Sequence, residues 1–288
     1  MKSRKFMAIA MAAISIGTMA AFASCGGNDN SGSSGSGTSD SGTSSKSLNI
    51  TGSSSVAPLM SALADSYEKK NSGVRITVTT SDSGTGIKDA QKGLNDFGMA
   101  SRKLKDAEKG VVSKQIATDG IALIVNKASA VTNVTSEEVY ELYANGTAIQ
   151  SAITAGITRE SGSGTRDAFG ELIKNSEGNT LKSLTTLASV ITQQGSTDAV
   201  KTAIVGNVNQ MGYISLGSMD NTVKALQFKG VDATVANVKN GTYELSRPFN
   251  IVYQSEDKLS AVAKAFIEYI MSADGQKIVE AKGYITVA

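Results

Sequence analysis

Apolar residues recur along this chain in two rhythms, one of period two and one near 3.6, which together predict an α/β order of elements. Val56, Leu59, Met60, Leu63, Ala64 and Tyr67 form one helical stripe. Pro58 sits in its first turn, where a missing N–H costs little. Residues 48–50 read as a strand before that helix, and Val74, Ile76 and Val78 alternate with polar residues as a second strand. Ile87, Ala90 and Leu94 predict another helix, and Asp96-Phe97-Gly98-Met99-Ala100 a third strand. A β-α-β-α order implies a parallel sheet whose strand ends open toward one crevice, the place where such folds bind ligands.

The unbroken apolar run at residues 121–125 reads as a fully buried strand, and beyond it the chain changes domain. Thr135 and Glu138 have capping-box spacing ahead of Val139, Leu142 and Tyr143, which predicts a helix start. Further helices are expected at 181–191 and 198–205, and strands at 212–216 and 249–253, the last carrying the chain back to the first domain. A closing helix follows from Leu259 to Met271, with Asp274-Gly275-Gln276 expected to break it before a short final helix. Two crossings between domains make a hinge. The predicted body is therefore α/β, with one lobe of residues 47–126 and 251–288 and a second of 127–250.

Three strand-to-helix loops share one chemistry. Thr51-Gly52-Ser53-Ser54-Ser55, Ser81-Asp82-Ser83-Gly84-Thr85-Gly86 and Arg159-Glu160-Ser161-Gly162-Ser163-Gly164-Thr165 are each rich in Ser, Thr and Gly. In the third, Gly162 and Gly164 permit close backbone approach, Ser163 and Thr165 offer hydroxyls, and Thr165 can cap the following helix. Arg159 adds a planar, permanently charged fork that matches two oxygens of a tetrahedral anion. Helix N-termini at the same spot favour negative charge. An ordinary capped loop beside a surface arginine fits this one stretch as well; the recurrence of the device in three places favours an oxyanion clamp. Capping is likewise the alternative role for Ser54 and Ser55.

Composition narrows the chemistry further. The 288 residues contain no histidine, which removes Ser-His-Asp and Cys-His catalysis along with the commonest zinc ligand. The single cysteine, Cys25, rules out an internal disulfide and a thiolate metal cluster. Neither a P-loop nor a G-x-S-x-G elbow occurs, which argues against a phosphatase or kinase; Ser-Lys chemistry stays open as an enzyme reading, and no metal or cofactor is expected. The formal charge of +2 owes everything to Lys2, Arg4 and Lys5; without them the remainder is slightly acidic. With no basic stripe, nucleic acid is not an expected partner, and an anion site must be a local feature.

Those three cations precede the apolar run 6–22 and the small residues Ala23 and Ser24, so residues 1–24 read as an export signal. Phe22-Ala23-Ser24-Cys25-Gly26 resembles the bacterial lipobox, which implies acylation of Cys25 and a lipid anchor on the outer face of a membrane. Phe22 stands where that motif usually has leucine, which leaves cleavage at another small residue open. Residues 25–46, nearly all Gly, Ser, Thr, Asn and Asp, form a flexible tether. A chain of ~20 such residues has a mean reach of roughly 25 Å.

Over residues 47–288 the sequence resembles the phosphate-binding proteins that feed ABC-type phosphate importers, the Pst system. The landmarks are Gly52-Ser53-Ser54-Ser55-Val56-Ala57-Pro58, Ser83-Gly84-Thr85-Gly86-Ile87-Lys88, Phe97-Gly98-Met99-Ala100-Ser101-Arg102, Asp119-Gly120-Ile121-Ala122, the Arg159 to Thr165 loop, and Gly275-Gln276-Lys277-Ile278-Val279. The resemblance implies the two-lobed periplasmic-binding-protein fold, type II-like, with phosphate held in the interlobe cleft and delivered to membrane permease subunits. It implies phosphate contacts from Ser54, Ser55, Ser83 and Ser101 on one lobe, and from Arg159, Ser163, Gly164 and Thr165 on the other. Where some members carry an aspartate that accepts the proton of hydrogen phosphate, this chain has Ser101. Asp119 is the first candidate to take over as acceptor, with Asp82 and Glu160 behind it; a turn or cap role fits Asp119 equally well. Rival readings are the same fold holding sulfate or molybdate, and a lipid-anchored surface or sensing protein with no small-anion ligand.

Overall fold

A computed structural model of the protein describes residues 46–287; the segment expected to be an export signal, Cys25 and the stretch expected to be a tether, up to residue 45, lie outside the described residues. The elements run β1 (Ser47–Ser53), α1 (Ala57–Lys70), β2 (Arg75–Ser81), α2 (Ser83–Lys92), β3 (Phe97–Ala100), β4 (Val112–Asn126), β5 (Asn133–Val134), α3 (Ser136–Asn145), β6 (Ala155–Arg159) and α4 (Gly164–Leu172). The chain continues through β7 (Ile191–Gln194), α5 (Thr197–Val205), β8 (Gln210–Ser215), β9 (Val223–Ala225), β10 (Gln227–Phe228), α6 (Val235–Lys239), β11 (Ser246–Tyr253), α7 (Ala261–Met271) and α8 (Ala273–Ala281).

Local chemistry sets most of these boundaries. The α1 stripe is buried as expected, its first turn holds the proline, and Lys69 and Lys70 lie in the last turn, where cations favour the helix dipole. The Thr135–Glu138 capping box is present, with both reciprocal hydrogen bonds. Leu94 departs from the helical stripe predicted for it. Gly93 ends α2 in the left-handed conformation, and Leu94 lies past it, 63% exposed. The helix expected at 181–191 is also absent: a single 3-10 turn spans Leu181–Ser183, and Ile191 opens β7. Thr185, Thr186, Val190 and Ile191 are poor helix formers, and pairing of β7 with β6 supplies the backbone partners instead. The break near the C-terminus falls at Ser272, which ends α7 and caps α8 by accepting from Gly275 N–H, so Asp274, Gly275 and Gln276 lie inside the last helix.

One curled sheet runs in the order β2-β1-β3-β11-β4-β8-β6-β7, with β9 paired to β4; β5 and β10 form a separate pair. β1 is parallel to β2 and β3, as the β-α-β-α order predicted. Two strands, β4 and β11, run antiparallel to each other and connect two separate cores. The first core gathers Leu48, Ile50, Leu59, Leu63, Phe97 and Ile116 with Phe249 and Phe266 from the returning chain. In the second, Ile121, Leu123 and Val125 face Tyr143, Phe169 and Tyr213, while Ala122 and Ile124 on the opposite face of β4 meet Ile157, Val200 and Ile214. Burial on both faces is why this stretch is apolar without alternation. The change of core lies between Ala117 and Ile121 on the outward crossing, and between Leu245 and Phe249 on the return. Residues 121–125, placed by sequence in the first lobe, therefore pack in the second.

A third segment joins the crossing. Thr118 and Ile285 exchange backbone hydrogen bonds of 2.8 and 2.9 Å, and the Tyr284 ring lies 5.3 Å from that of Phe249. The tail beyond α8 is thus stitched to β4 where that strand passes between the cores.

Candidate functional site

The three Ser/Thr/Gly loops meet. Ser53, Ser54 and Ser55 end β1 and lead into α1; Ser83 opens α2; Ser101 follows β3; Arg159 ends β6, and Ser163, Gly164 and Thr165 begin α4. Parallel strands deliver the first three groups to one edge of the sheet, and β6 delivers the clamp loop from the other core to face them.

The cap of α1 is Val56, with no side-chain hydrogen bond, so Ser54 and Ser55 do not take the capping role. Their hydroxyls point across the cleft. Ser55 Oγ lies 2.9 Å from Thr165 Oγ1, and Arg159 Nη2 donates to Ser54 Oγ at 3.0 Å. Thr165 likewise does not cap α4; Ser163 does, accepting from Arg166 N–H. That division leaves the Thr165 hydroxyl to meet the opposite lobe. Ser53 Oγ donates to Ser101 Oγ at 3.0 Å, Ser101 N–H donates to Ser83 Oγ at 3.1 Å, and Ser55 N–H donates to Ser53 Oγ at 3.3 Å. A Cβ at Gly164 would run into the hydroxyls of Ser83 and Ser101, so only glycine permits this approach of α4 to the first lobe. Gly84 N–H donates to Gly162 C=O at 3.1 Å, a backbone bond between two of the loops.

Arg159 is 2% exposed, which makes it one of the largest fully buried side chains. Its Nε and Nη2 each donate to a carboxylate oxygen of Glu160 at 2.7 Å, and its backbone N–H donates to Tyr213 Oη at 3.2 Å. Burial raises the Tyr213 phenol above its ordinary range, with hydrogen bonds to Thr158 and the Arg159 backbone pulling against it, so this anchor stays protonated. The guanidinium is thereby held in one orientation with its remaining donors toward the serine cluster.

The three candidate acceptor carboxylates are all engaged. Asp82 caps α2, accepting from Thr85 N–H at 2.9 Å and Thr85 Oγ1 at 2.7 Å. Glu160 holds Arg159. Asp119 is fully buried and faces Arg247, which donates to Oδ2 from Nε at 3.1 Å and from Nη2 at 2.9 Å, while Ser215 donates to Oδ1 at 2.9 Å. Burial pushes the Asp119 carboxyl up and the Arg247 guanidinium down, each opposed by the other's charge. Asp119 is neither a turn nor a cap residue but half of a buried ion pair across the two crossing strands, so its hydrogen bonds go to Arg247 and Ser215 rather than to the serine cluster.

Sequence reasoning missed three participants. Thr197, first residue of α5, places its hydroxyl 3.2 Å from Ser55 Oγ and accepts from Arg159 Nη1 at 3.3 Å. Gly195-Ser196-Thr197 repeats the loop chemistry of the other three, but a helix start placed at Asp198 left it unnoticed. Arg102, next to Ser101, is buried; it donates twice to Glu108 at 2.7 Å, and its Nε lies 2.9 Å from Asp167 Oδ2 on α4. Lys105 reaches the same Asp167 oxygen at 2.6 Å. Burial pushes the Glu108 carboxyl up, but hydrogen bonds from Arg102 and from Lys105 N–H outweigh it and hold the group below the ordinary carboxylate range. Among the described residues, no group of three or more His, Cys, Asp or Glu side chains could hold a metal ion.

Two α/β cores joined by crossing strands, with hydroxyls, amides and one guanidinium meeting between them, define a two-lobed binding protein. A family model described as a PBP superfamily domain matches residues 37–274, and the chain belongs to that superfamily. An ABC transporter substrate-binding protein from Clostridium perfringens, solved with bound phosphate, is 38% identical with a TM-score of 0.75 and covers 84% of this chain and 100% of its own. An ABC-type phosphate transport receptor from Vibrio cholerae is 33% identical with a TM-score of 0.66, covering 83% of this chain and 99% of its own. The phosphate-binding protein PstS 2 of Streptococcus agalactiae is 44% identical over 133 residues, a match spanning 45% of this chain and 44% of that relative's length. The PstS protein of Bacillus subtilis is 29% identical over 84% of this chain and 81% of its own.

Proposed function

We propose that this chain is an extracytoplasmic solute-binding protein that captures inorganic phosphate by closure of its two lobes and delivers it to the permease subunits of an ABC importer. The observation that carries this reading is the meeting of Ser54, Ser55, Ser83 and Ser101 from one lobe with buried Arg159 and Thr165 from the other. Ser163 and Gly164 join them as the cap and first residue of α4. Stripping water from a multiply charged anion is very costly unless every oxygen regains a partner. Hydroxyls and amides shared between lobes supply the full set only when the cleft is shut, so the ligand favours closure through its differential affinity for that state. The names of the relatives support phosphate as the ligand, and the same grounds favour binding over catalysis. The lobe change at 118–120 and 246–248 is the hinge. Acylation of Cys25 would anchor the tether to the outer face of the cell membrane, on the periplasmic side where an outer membrane is present.

Calorimetric titration of residues 46–288 with phosphate and with sulfate tests the reading. Saturable one-to-one binding of phosphate at micromolar or lower concentration is expected, and heat from sulfate alone would replace phosphate with a rival oxyanion. No heat from either would leave the surface-protein reading standing.

Closure carries an electrostatic component of its own. Asp167 belongs to the clamp helix, whereas Arg102 and Lys105 belong to the first lobe, so opening the cleft strips Asp167 of both cations while Arg102 keeps Glu108. Asp167→Asn is expected to weaken phosphate binding by about fivefold, roughly the 1 kcal/mol at the upper end for an ion pair that solvent partly screens. The loss should appear mainly as faster release in stopped-flow displacement, and an unchanged release rate would deny the pair any part in closure.

A further inference from the structure

We propose that Thr197 is a further ligand of the oxyanion, contributed by a fourth loop and standing at the solvent side of the site; this rests on the phosphate-binding reading above. Thr197 is buried, and three residues assigned to the anion converge on its one hydroxyl. Arg159 Nη1 donates to it at 3.3 Å, Ser55 Oγ lies 3.2 Å away and Ser54 Oγ 3.5 Å away. A hydroxyl has one donor and two acceptor sites. With one acceptor site engaged by the guanidinium, its proton is free to turn toward the serine cluster, where an anion oxygen would take the place of a serine oxygen.

The position is set by the fold rather than by a mobile side chain. Ser196 caps α5 by accepting from Ala199 N–H, which fixes Thr197 as the first helical residue, and Val200 and Ile204 bury the same helix against the second core. On its other side Thr197, with Ser54, Pro58, Thr80, Ser196 and Ser218, lines a cavity of about 320 Å³ between the N-terminal ends of α1 and α5. The Ser54 and Thr197 hydroxyls therefore stand between the buried cluster and this cavity. A ligand leaving on that side passes them last, so removing the Thr197 hydroxyl should act on release more than on capture.

Valine has nearly the shape of threonine without the hydroxyl, and serine keeps the hydroxyl without the methyl. Phosphate titration of Thr197→Val is expected to show affinity lowered by roughly ten- to a hundredfold, the range for a hydrogen bond to a charged group. Most of that change should appear as faster release, with Thr197→Ser remaining close to wild type. Equal affinity in the valine variant and wild type overturns the proposal, and so does a serine variant as weak as the valine one, which would assign the effect to packing. Thr197→Ala replaces valine if the latter lowers the melting temperature. A wild-type protein silent toward phosphate would defeat the underlying reading first, and so separates that failure from this one.

Discussion

Arg159→Ala is expected to abolish measurable phosphate binding at concentrations that saturate wild type, while the protein remains folded. Among the side chains assigned to the anion the guanidinium carries the permanent positive charge, and it is buried, so its attraction for an anion is little screened. Truncating one partner of a buried, hydrogen-bonded charge pair costs about 2–5 kcal/mol, which is a loss of roughly thirty- to several-thousandfold. The effect belongs at the upper end here for two reasons. Ser54 and Thr197 lose a donor together with the ligand, and Glu160, released from its two 2.7 Å hydrogen bonds, becomes an unpaired negative charge beside the site. Arg159→Ala with Glu160→Gln should therefore recover part of the loss, and Arg159→Lys, which keeps charge but not the fork, should fall between. Both hydrophobic cores lie outside this cluster, so far-ultraviolet circular dichroism should match wild type. Wild-type affinity in Arg159→Ala by calorimetry would refute the site.

Much of this arrangement is legible in the sequence because local and global signals agree. The period-3.6 stripe of α1, the capping box of α3 and the alternation of β2 each follow from residues a few positions apart, and packing ratifies them. The clamp loops are legible for a related reason: Ser, Thr and Gly before a helix is a local pattern, and its repetition is visible without coordinates. What sequence does not carry is which hydroxyl takes which task. Ser163 and Thr165 are both competent caps, and only the approach of α4 to Ser55 decides that Ser163 caps and Thr165 faces the cleft. Ion pairs between distant residues are illegible for the same reason. Nothing near Asp119 in the chain announces Arg247, and Arg102 and Asp167 are brought together only when the two lobes meet. The missed coil at 184–190 is a different failure, in which apolar spacing mimicked a helix although β-branched residues and a pairing strand favoured extended chain.

Breaking the Asp119–Arg247 pair is expected to cost more folding stability than any other single polar change proposed for this chain. Both side chains are essentially inaccessible, at 0% and 1% exposure, and the pair ties β4 to β11 at the level where both strands pass between the cores. Asp119→Asn leaves the Arg247 charge buried with a neutral neighbour, and its Nη1 is already without a hydrogen-bond partner among the described residues. Removing one member of a buried ion pair costs about 3–5 kcal/mol. For a body of this size that corresponds to a fall in melting temperature on the order of 10 °C. Replacing both members by apolar residues, as in Asp119→Leu with Arg247→Met, should restore most of the stability, because the desolvation cost of both charges disappears along with their attraction. Differential scanning calorimetry of the three proteins checks this sequence of effects. The same variants separate strut from ligand: if Asp119 supports the hinge, Asp119→Asn lowers the melting temperature and leaves the preference for phosphate over sulfate unchanged. A shifted preference at wild-type stability would make Asp119 the acceptor of the ligand's proton after all.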